Sequence, residues 1–255
     1  MSILIIDTSY YNFYRFYATL SWYNYSPERR EIAKKIDWID NELFMNTFEK
    51  MWFKYISKLR SKFNPKHIIF ACDGNDIWRY KLYDNYKSNR HNTIPIKLLK
   101  YMNTFYSKIP YSSTIKIANA EGDDITAITV RYIRTLYPNV IINIITADTD
   151  FLQLSEPNIV EIYELKGFKK ITIHNPTEYL LKKILMGDST DCISPVFKGC
   201  GKKTAEKLIK EPNKLQEIYK TKQYILNKTL IDFQYIPENI VQDIEEQLDN
   251  IIWKF

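Results

Sequence analysis

The sequence is poor in the residues that hold soft metals or form disulfides. Its 255 residues include three cysteines and three histidines. Cys72, Cys192 and Cys200 form no C-x-x-C pair, which excludes the common zinc motifs. An odd number of cysteines in a chain without a secretion signal indicates reduced thiols. We therefore expect neither structural zinc nor disulfides.

Long apolar runs are also missing, and none approaches the roughly 20 residues that a membrane helix needs. The first residues, MSILIIDTSYY, lack the basic leader and long apolar core of a secretion signal. Glycine is scarce, with six residues, and 45% of the chain is hydrophobic, which is typical of an ordered globular protein. We expect a soluble, intracellular monomer that acts in a bacterial or virus-infected cytoplasm or in a nucleus.

The formal net charge is +6. Acidic side chains are concentrated in a few short groups, so the rest of the chain is much more positive than this figure. An excess of positive charge of this kind favours a polyanionic partner such as nucleic acid. A merely lysine-rich surface is the alternative explanation.

Carboxylates recur where predicted strands end or predicted helices begin. The carboxyl ends of parallel strands meet at one edge of an α/β sheet, so these acids can reach one crevice. There they would repel each other unless cations lay between them, and hard oxygen ligands favour Mg²⁺ or Mn²⁺. The alternative is that 121–124 caps a helix and that 148 and 150 are turn residues. The nine candidate metal ligands are Asp7, Asp73, Glu121, Asp123, Asp124, Asp148, Asp150, Asp188 and Asp191.

Short apolar runs alternate with helical patterns, which predicts a doubly wound, mostly parallel α/β sheet. A long amphipathic helix is predicted over 36–59, and the pattern becomes helical from about Tyr179 to the end. The predicted strands are 2–6, 67–72, 114–118, 140–145, 159–163 and 170–173.

The segment 78–111 interleaves lysine and arginine with aromatic residues. Basic side chains can hold phosphates while aromatic rings stack on bases, a combination that single-strand binders use. The alternative is an ordinary solvated helical face.

A glycine pair, Gly199 and Gly201, precedes the basic run Lys202-Lys203. Such a hairpin lets backbone N–H groups approach a phosphate, and the following helix adds its positive end. The spacing is too short for a nucleotide-binding P-loop.

Taken together, these motifs resemble the 5′ nuclease superfamily of flap endonucleases and 5′→3′ exonucleases, and its phage and bacterial branch in particular. The resemblance runs from Asp7 to about Leu208. It is carried by Asp7, Asp73-Gly74, Tyr86-Lys87-Ser88-Asn89-Arg90, Glu121-Gly122-Asp123-Asp124, Thr146-Ala147-Asp148-Thr149-Asp150, Gly187-Asp188 with Asp191, and the glycine hairpin.

The resemblance implies a PIN-like nuclease core over 1–178, with a helical arch at about 78–111. It also implies a helix-hairpin-helix (H3TH) and carboxy-terminal helical region over 179–255. Cys192, Pro195 and Cys200 depart from the usual pattern, which bears on the hairpin geometry and on a K⁺ site there. The implied cofactors are two Mg²⁺, for which Mn²⁺ can substitute, and a K⁺ at the hairpin.

The resemblance also implies roles for individual residues. Lys87, assisted by Arg90, would offset charge on the scissile phosphate. Asp7, Asp73, Glu121 and Asp123 would hold one metal, while Asp148, Asp150, Asp188 and Asp191 would serve the second. Asp124 would be either a direct ligand or a supporting residue. The implied DNA contacts are Arg79, Tyr86, Lys198, Gly199, Gly201, Lys202, Lys203, Thr204 and Lys207.

The predicted function is hydrolysis of phosphodiester bonds near junctions of single and double strands, by a metal-dependent 5′ nuclease in replication, repair or recombination. The predicted partners are DNA with 5′ single-stranded ends, flaps or nicks, and RNA:DNA hybrids.

One alternative is a PIN-type ribonuclease or an RNase H-like removal of RNA primers. Another is a non-catalytic protein that binds branched nucleic acid. An aspartate-nucleophile phosphatase is excluded because Ser9 stands where a second aspartate is needed. We find no sliding-clamp motif and expect no membrane.

Overall fold

The structure, a computed structural model, describes residues 1–33, 37–90 and 94–253. A single sheet has the strand order β3-β2-β1-β4-β5-β6. The strands are parallel except β6, which runs antiparallel to β5. The predicted doubly wound, mostly parallel sheet is therefore confirmed. The strands are β1 Ser2–Asp7, β2 His67–Cys72, β3 Ser112–Lys116, β4 Ile141–Ile145, β5 Val160–Tyr163 and β6 Lys170–Ile171.

The helices occupy the connections between the strands and the region after β6. Short 3₁₀ segments lie at Trp38–Asp40, Tyr106–Lys108, Thr149–Leu154, Lys166–Phe168 and Phe233–Tyr235. The α-helices are α1 Thr8–Tyr23, α2 Pro27–Ala33, α3 Glu42–Phe63, α4 Trp78–Leu82, α5 Ile96–Asn103, α6 Gly122–Leu136, α7 Pro176–Met186, α8 Lys202–Ile209, α9 Pro212–Tyr219, α10 Lys222–Ile231 and α11 Glu238–Asp249.

Helices cover both faces of the sheet, which is why its strands are continuous apolar runs. Alternate residues of β1 point to opposite sides: Ile3 and Ile5 join the core beneath α6 and α11, whereas Leu4 and Ile6 join the core beneath α1, α3 and α5. Strands β2 and β4 flank β1, so the order of the sheet reverses there. Ligands usually bind at such a switch point, beyond the carboxyl ends of the strands.

Helices α7 to α10 form a third apolar cluster that includes Leu185, Ile193 and Leu230. The last helix, α11, leaves this region and packs its residues Ile240 and Ile244 into the sheet core beside α6. The predicted boundary after residue 178 falls inside α7, and the division into 1–178 and 179–255 stays a prediction.

Several boundaries differ from those predicted. Helix α3 begins at Glu42 instead of residue 36, because the Asn41 side chain caps it by accepting from Phe44 N at 3.1 Å. Ile36 lies outside the described residues. The third strand lies two residues earlier than predicted, at Ser112–Lys116, and α7 begins at Pro176, where Asn175 is the cap. Helix α1 was not predicted, because its tyrosine-rich sequence has a weak helical pattern.

Half of the eight aromatic residues of the predicted arch segment are core residues. Trp78, Tyr86, Phe105 and Tyr106 are buried, and α5 packs Leu98 and Met102 against the sheet. For these rings the proposed stacking on bases is wrong, because hydrophobic burial holds them inside. Residues 91–93 of the segment lie outside the described residues.

Within the part of the chain that the structure describes, no helix is long and apolar enough to cross a membrane.

Candidate metal centre and nucleic-acid interface

Three adjacent parallel strands deliver aspartates to the same edge of the sheet. Asp7 ends β1, Asp73 follows β2, and Asp148 comes shortly after β4. Helix α6 brings Asp123 to this edge. Gly122 N donates to Asp73 Oδ1 at 2.7 Å. Gly122 permits this approach, because a Cβ there would lie 3.2 Å from Ala71 O.

We name Asp7, Asp73, Asp123 and Asp148 the first acidic cluster. All four line one cavity of about 350 Å³, together with Lys87 and Arg90. Local hydrogen bonds orient the acids. Asp7 accepts from Tyr10 N at 3.0 Å and from Thr146 Oγ1 at 2.9 Å, and Asp73 accepts from Ser9 Oγ at 2.6 Å. The structure thus places four of the nine predicted acids around one cavity.

Negative charge in the first acidic cluster is poorly compensated. Burial, together with the charges of Asp73 and Asp148, raises the pKa of Asp7 to about 6 against two opposing hydrogen bonds. Burial likewise raises the pKa of Asp123 well above its ordinary value, although Lys87 opposes this shift. Carboxyl groups that resist ionisation together are stabilised when a cation binds between them.

Among the described residues, no three His, Cys, Asp or Glu side chains converge as a ready-made metal set. Mutual repulsion keeps the carboxylates apart, and several of them contact lysine or arginine instead. The chemistry of the donors nevertheless fits a hard divalent cation. They are oxygens only, they carry excess negative charge, and they face one cavity.

We name Asp150, Asp188 and Asp191 the second acidic cluster, and protein cations already neutralise it. Lys183 pairs with Asp150 and lies 2.9 Å from Asp188 Oδ2. Burial opposes ionisation of Asp188, but Lys183 outweighs it and lowers the pKa of that carboxyl. Arg90 Nη2 pairs with Asp191 Oδ1. Sequence reasoning missed Lys183, since a lysine in the last turn of a helix is too common to single out.

The remaining two acids, Glu121 and Asp124, do not line the cavity. Together they form a capping box at the start of α6, in which Glu121 N donates to Asp124 Oδ2 at 3.0 Å. The alternative reading of 121–124 as a helix cap is therefore correct for these two side chains. Lys87 Nζ pairs with Glu121, which links the predicted catalytic lysine to the amino terminus of α6.

Arg79 ties this cap to the carboxy-terminal helices. Its guanidinium contacts Glu121 Oε2 at 2.8 Å and Asp124 Oδ1 at 2.8 Å, and its Nε donates to Leu230 O of α10 at 2.9 Å. The residue is 2% exposed. The prediction that Arg79 contacts DNA must be corrected, because every side of its guanidinium faces protein.

Tyr86 needs the same correction. It is buried, and its hydroxyl donates to Glu121 Oε2 at 2.9 Å. Tyr86 therefore supports Glu121 from inside the protein instead of offering a ring to a base. Burial strongly raises the pKa of its hydroxyl, and the charge of Glu121 adds to this effect.

The glycine pair forms a tight turn before α8, in which Gly201 N donates to Gly199 O at 2.9 Å. Gly199 has φ +88°, which is strained for residues with a side chain, and Gly201 caps α8. Cys200 is 2% exposed within the third apolar cluster, so it fills the position of an aliphatic residue.

The lysines predicted to contact DNA are exposed around this turn: Lys198, Lys202, Lys203 and Lys207. Thr204 Oγ1 donates to Gly199 O at 3.4 Å.

A larger cavity, of about 640 Å³, lies between α7 and α8 and is lined by Lys183, Asp188 and Lys202. This larger cavity is next to the second acidic cluster. The first acidic cluster, whose negative charge is poorly compensated, lines the smaller cavity. We therefore assign the metal chemistry to the smaller cavity. The larger one reaches the start of α8 at Lys202.

The sequence model of the family described as 5′-3′ exonuclease, N-terminal resolvase-like domain, matches residues 2–183. The chain belongs to this family. It is 30% identical over 175 residues to a 5′-3′ exonuclease of Bacillus subtilis, a match that covers 63% of this chain and 57% of that protein. It is also 30% identical over 172 residues to the flap endonuclease Xni of Shewanella loihica, covering 64% of this chain and 65% of that protein. The chain thus spans less than two thirds of the length of these relatives.

Solved structures share the fold. The T5 D15 protein crystallised with metal ions has a TM-score of 0.70 at 16% identity, and covers 98% of this chain and 99% of its own. The T5 5′-exonuclease with bound zinc has a TM-score of 0.68 at 18% identity, with the same coverage. The PIN-like fold that the sequence motifs predicted is therefore confirmed.

Proposed function

We propose that the protein is a divalent-metal-dependent 5′ nuclease that hydrolyses phosphodiester bonds near junctions of single and double strands. The observation that carries this proposal is the first acidic cluster, whose four carboxylates share one cavity with Lys87 and Arg90. Family membership supports the same activity, because the two relatives above are a 5′-3′ exonuclease and a flap endonuclease.

Asp7, Asp73, Asp123 and Asp148 would hold the metal, with Mg²⁺ as the expected ion and Mn²⁺ as a substitute. Bound there, divalent metal would lower the pKa of a water and offset charge on the transferring phosphoryl group. A second metal at Asp150, Asp188 and Asp191 requires that Lys183 move aside. Glu121 and Asp124, held by Arg79, act as positioning residues for α6. We also propose that a K⁺ binds at the glycine hairpin, as the resemblance to the 5′ nucleases implies.

Lys87 is the residue that meets the scissile phosphate. Its ammonium lines the metal cavity and is held by Glu121, while its backbone N donates to Asp191 O at 3.0 Å. Burial opposes its charged form, but the charges of Glu121, Asp123 and Asp191 together outweigh burial and raise the pKa of Lys87 above its ordinary value. Lys87 therefore stays charged at neutral pH and stabilises the negative charge that develops in the transition state. Arg90, paired with Asp191, assists from the rim.

The duplex part of the substrate would lie against the hairpin and the start of α8. Exposed Lys198, Lys202, Lys203 and Lys207 would contact phosphates there without reading bases. Natural substrates would be 5′ ends, flaps or nicks of DNA, with RNA:DNA hybrids as further candidates, in replication or repair.

The deciding experiment follows cleavage of 5′-labelled flap, nicked, single-stranded and hybrid substrates with Mg²⁺, with Mn²⁺ and with excess EDTA. We expect cleavage near the junction that EDTA abolishes. Cleavage confined to RNA would favour the ribonuclease alternative. Tight binding to branched DNA without any metal-dependent cleavage would favour a non-catalytic binding protein.

A further inference from the structure

The outward face of α1 carries a row of aromatic rings, of which Tyr17 is exposed and Tyr10, Phe13 and Tyr14 are partly buried. Tyr10, Phe13, Tyr14 and Tyr17 follow the i, i+3, i+4, i+7 spacing of one helical face. The opposite face, with Tyr11 and Phe16, is buried in the core. We call these four residues, together with Ala18 and Ser21, the α1 track; they line an open groove of about 440 Å³.

The α1 track is continuous with the metal cavity. Tyr10 and Phe13 line both the groove and the cavity that holds the first acidic cluster. Helix α1 begins directly after Asp7, whose carboxylate caps it. A strand whose phosphate lies in the cavity therefore meets the α1 track next.

The rings of the α1 track are spaced along the helix. The centroids of Tyr10 and Tyr14 are 6.0 Å apart, and those of Phe13 and Tyr17 are 6.2 Å apart. From Tyr10 to Ser21 the helix rises about 17 Å. This length accommodates roughly five bases at the ~3.4 Å spacing of a stacked strand.

The charges around the α1 track suit a polyanion. None of its six residues is acidic, in contrast to the cavity beside it. The Arg15 guanidinium lies beneath it, 5.6 Å from the Tyr14 ring centroid and 4.1 Å from that of Tyr55. Arg15 is 2% exposed, and in the described ranges its Nε has no hydrogen-bond partner. Lys58 lies 5.1 Å from the Tyr55 ring centroid and adds a second cation.

We propose that the α1 track is a stacking platform for the 5′ single strand of the substrate, whose bases lie on Tyr10, Phe13, Tyr14 and Tyr17 as they leave the metal cavity. The burial of Trp78, Tyr86, Phe105 and Tyr106 removes half of the rings of the rival segment 78–111, in which Tyr80 and Tyr111 stay exposed. Stacking on aromatic rings accepts any base, so the platform binds single strands without sequence preference. This inference rests on the proposed function.

Binding is the primary measurement, with Ca²⁺ in place of Mg²⁺. Substrates are one duplex junction without a flap and with flaps of about 2, 4 and 8 nucleotides, which bracket the length of the track. Tyr14→Leu/Tyr17→Leu removes two outer rings, and Tyr14→Phe/Tyr17→Phe keeps them. Tyr25→Leu/Tyr235→Leu is the matched control, since these tyrosines are 86% and 44% exposed elsewhere on the surface.

For the wild type we expect Kd to tighten as the flap lengthens and then to level off. The Leu variant should lose about tenfold or more of this gain and bind the flap-free junction unchanged. The Phe variant and the control should match the wild type. A flap of abasic nucleotides should weaken wild-type binding as the Leu substitutions do, and should affect the Leu variant little.

The proposal is overturned when the Leu variant keeps the wild-type dependence on flap length, or when it loses affinity for the flap-free junction equally. A Phe variant as weak as the Leu variant would also overturn it, because a hydroxyl contact and not stacking would then explain the loss. Failure of the proposed function is seen separately, as wild-type protein that does not cleave the flap-free junction with Mg²⁺.

Discussion

The two acidic clusters lie side by side but differ in how their charge is balanced. The first acidic cluster faces a cavity, and the pKa of Asp7 is raised to about 6 by burial and neighbouring acids. In the second acidic cluster, Lys183 pairs with Asp150 and Asp188, and Arg90 pairs with Asp191. A cation entering the first site relieves repulsion, whereas a cation entering the second must displace a lysine. A count of carboxylates therefore does not predict metal affinity by itself.

The largest expected effect is at the first acidic cluster. Asp148→Ala should lower the rate of cleavage by more than about 10³-fold, beyond the usual effect of removing one transition-state hydrogen bond. Substrate binding should stay near the wild-type value, because the acids serve metal and not DNA. Single-turnover cleavage and Kd are the measurements, with the exposed Asp76→Ala as control. Near-normal cleavage by Asp148→Ala would remove this cluster from the chemistry.

The next effect is on stability and concerns Arg79, which links the amino-terminal cap of α6 to α10. Arg79→Leu leaves Glu121 and Asp124 buried without their guanidinium, so the free energy of unfolding should fall by about 3–5 kcal/mol. Urea denaturation measures this loss. Arg134→Leu is the control, since its partly exposed pair with Glu156 is worth at most about 1 kcal/mol. Equal losses in the two variants would mean that the buried network has no special weight.

Lys87 lies between the two clusters, 3.8 Å from Asp191 Oδ2 and paired with Glu121. Lys87→Ala should lower kcat about 10²-fold to 10³-fold with a much smaller change in substrate Kd, because its charge acts mainly in the transition state. Exposed Lys81→Ala should leave both quantities unchanged. If affinity falls as much as the rate does, Lys87 only docks the substrate.

A smaller effect is expected at the hairpin lysines Lys202 and Lys203. Changing them tests whether the duplex lies beside the second acidic cluster. Lys202→Glu/Lys203→Glu should weaken binding to every duplex-containing substrate by roughly tenfold, and should reduce the slope of log affinity against log salt by about two. Binding to a single strand should change far less. The same substitutions at Lys214 and Lys220, exposed on or just after α9, are the control. Loss of single-strand binding with an intact duplex slope would contradict the hairpin assignment.

The smallest expected effect concerns Lys183, the lysine that distinguishes the second acidic cluster from the first. Lys183→Gln should tighten Mn²⁺ binding to the DNA-free protein a few-fold, because a cation no longer competes at Asp150 and Asp188. Calorimetric titration measures this change. Lys182→Gln, whose partner is Glu178 at 2.7 Å, is the control. Weaker Mn²⁺ binding in Lys183→Gln would show that the lysine orients the ligands instead of competing with metal.

Local sequence by itself determined the sheet and the first acidic cluster. Apolar runs such as residues 67–72 predict buried strands, and β2 has those bounds. An aspartate after each of β1, β2 and β4 must reach the same edge, because parallel strands share their direction. The motifs around Lys87 and Asp148 could also be recognised from the sequence, because catalysis needs particular side chains where strands end and helices begin.

The tertiary structure alone decided which charges pair and which rings are exposed. Arg79 and Tyr86 lie in a basic, aromatic stretch, yet long-range contacts with Glu121 and Leu230 bury them. Lys183 meets Asp150 because α7 packs against the 3₁₀ segment Thr149–Leu154, a contact that no local pattern encodes. The aromatic face of α1 is exposed for a similar reason. Tyrosine suits both core and surface, so only the packing of α3 and the sheet against the opposite face of α1 decides which rings remain outside.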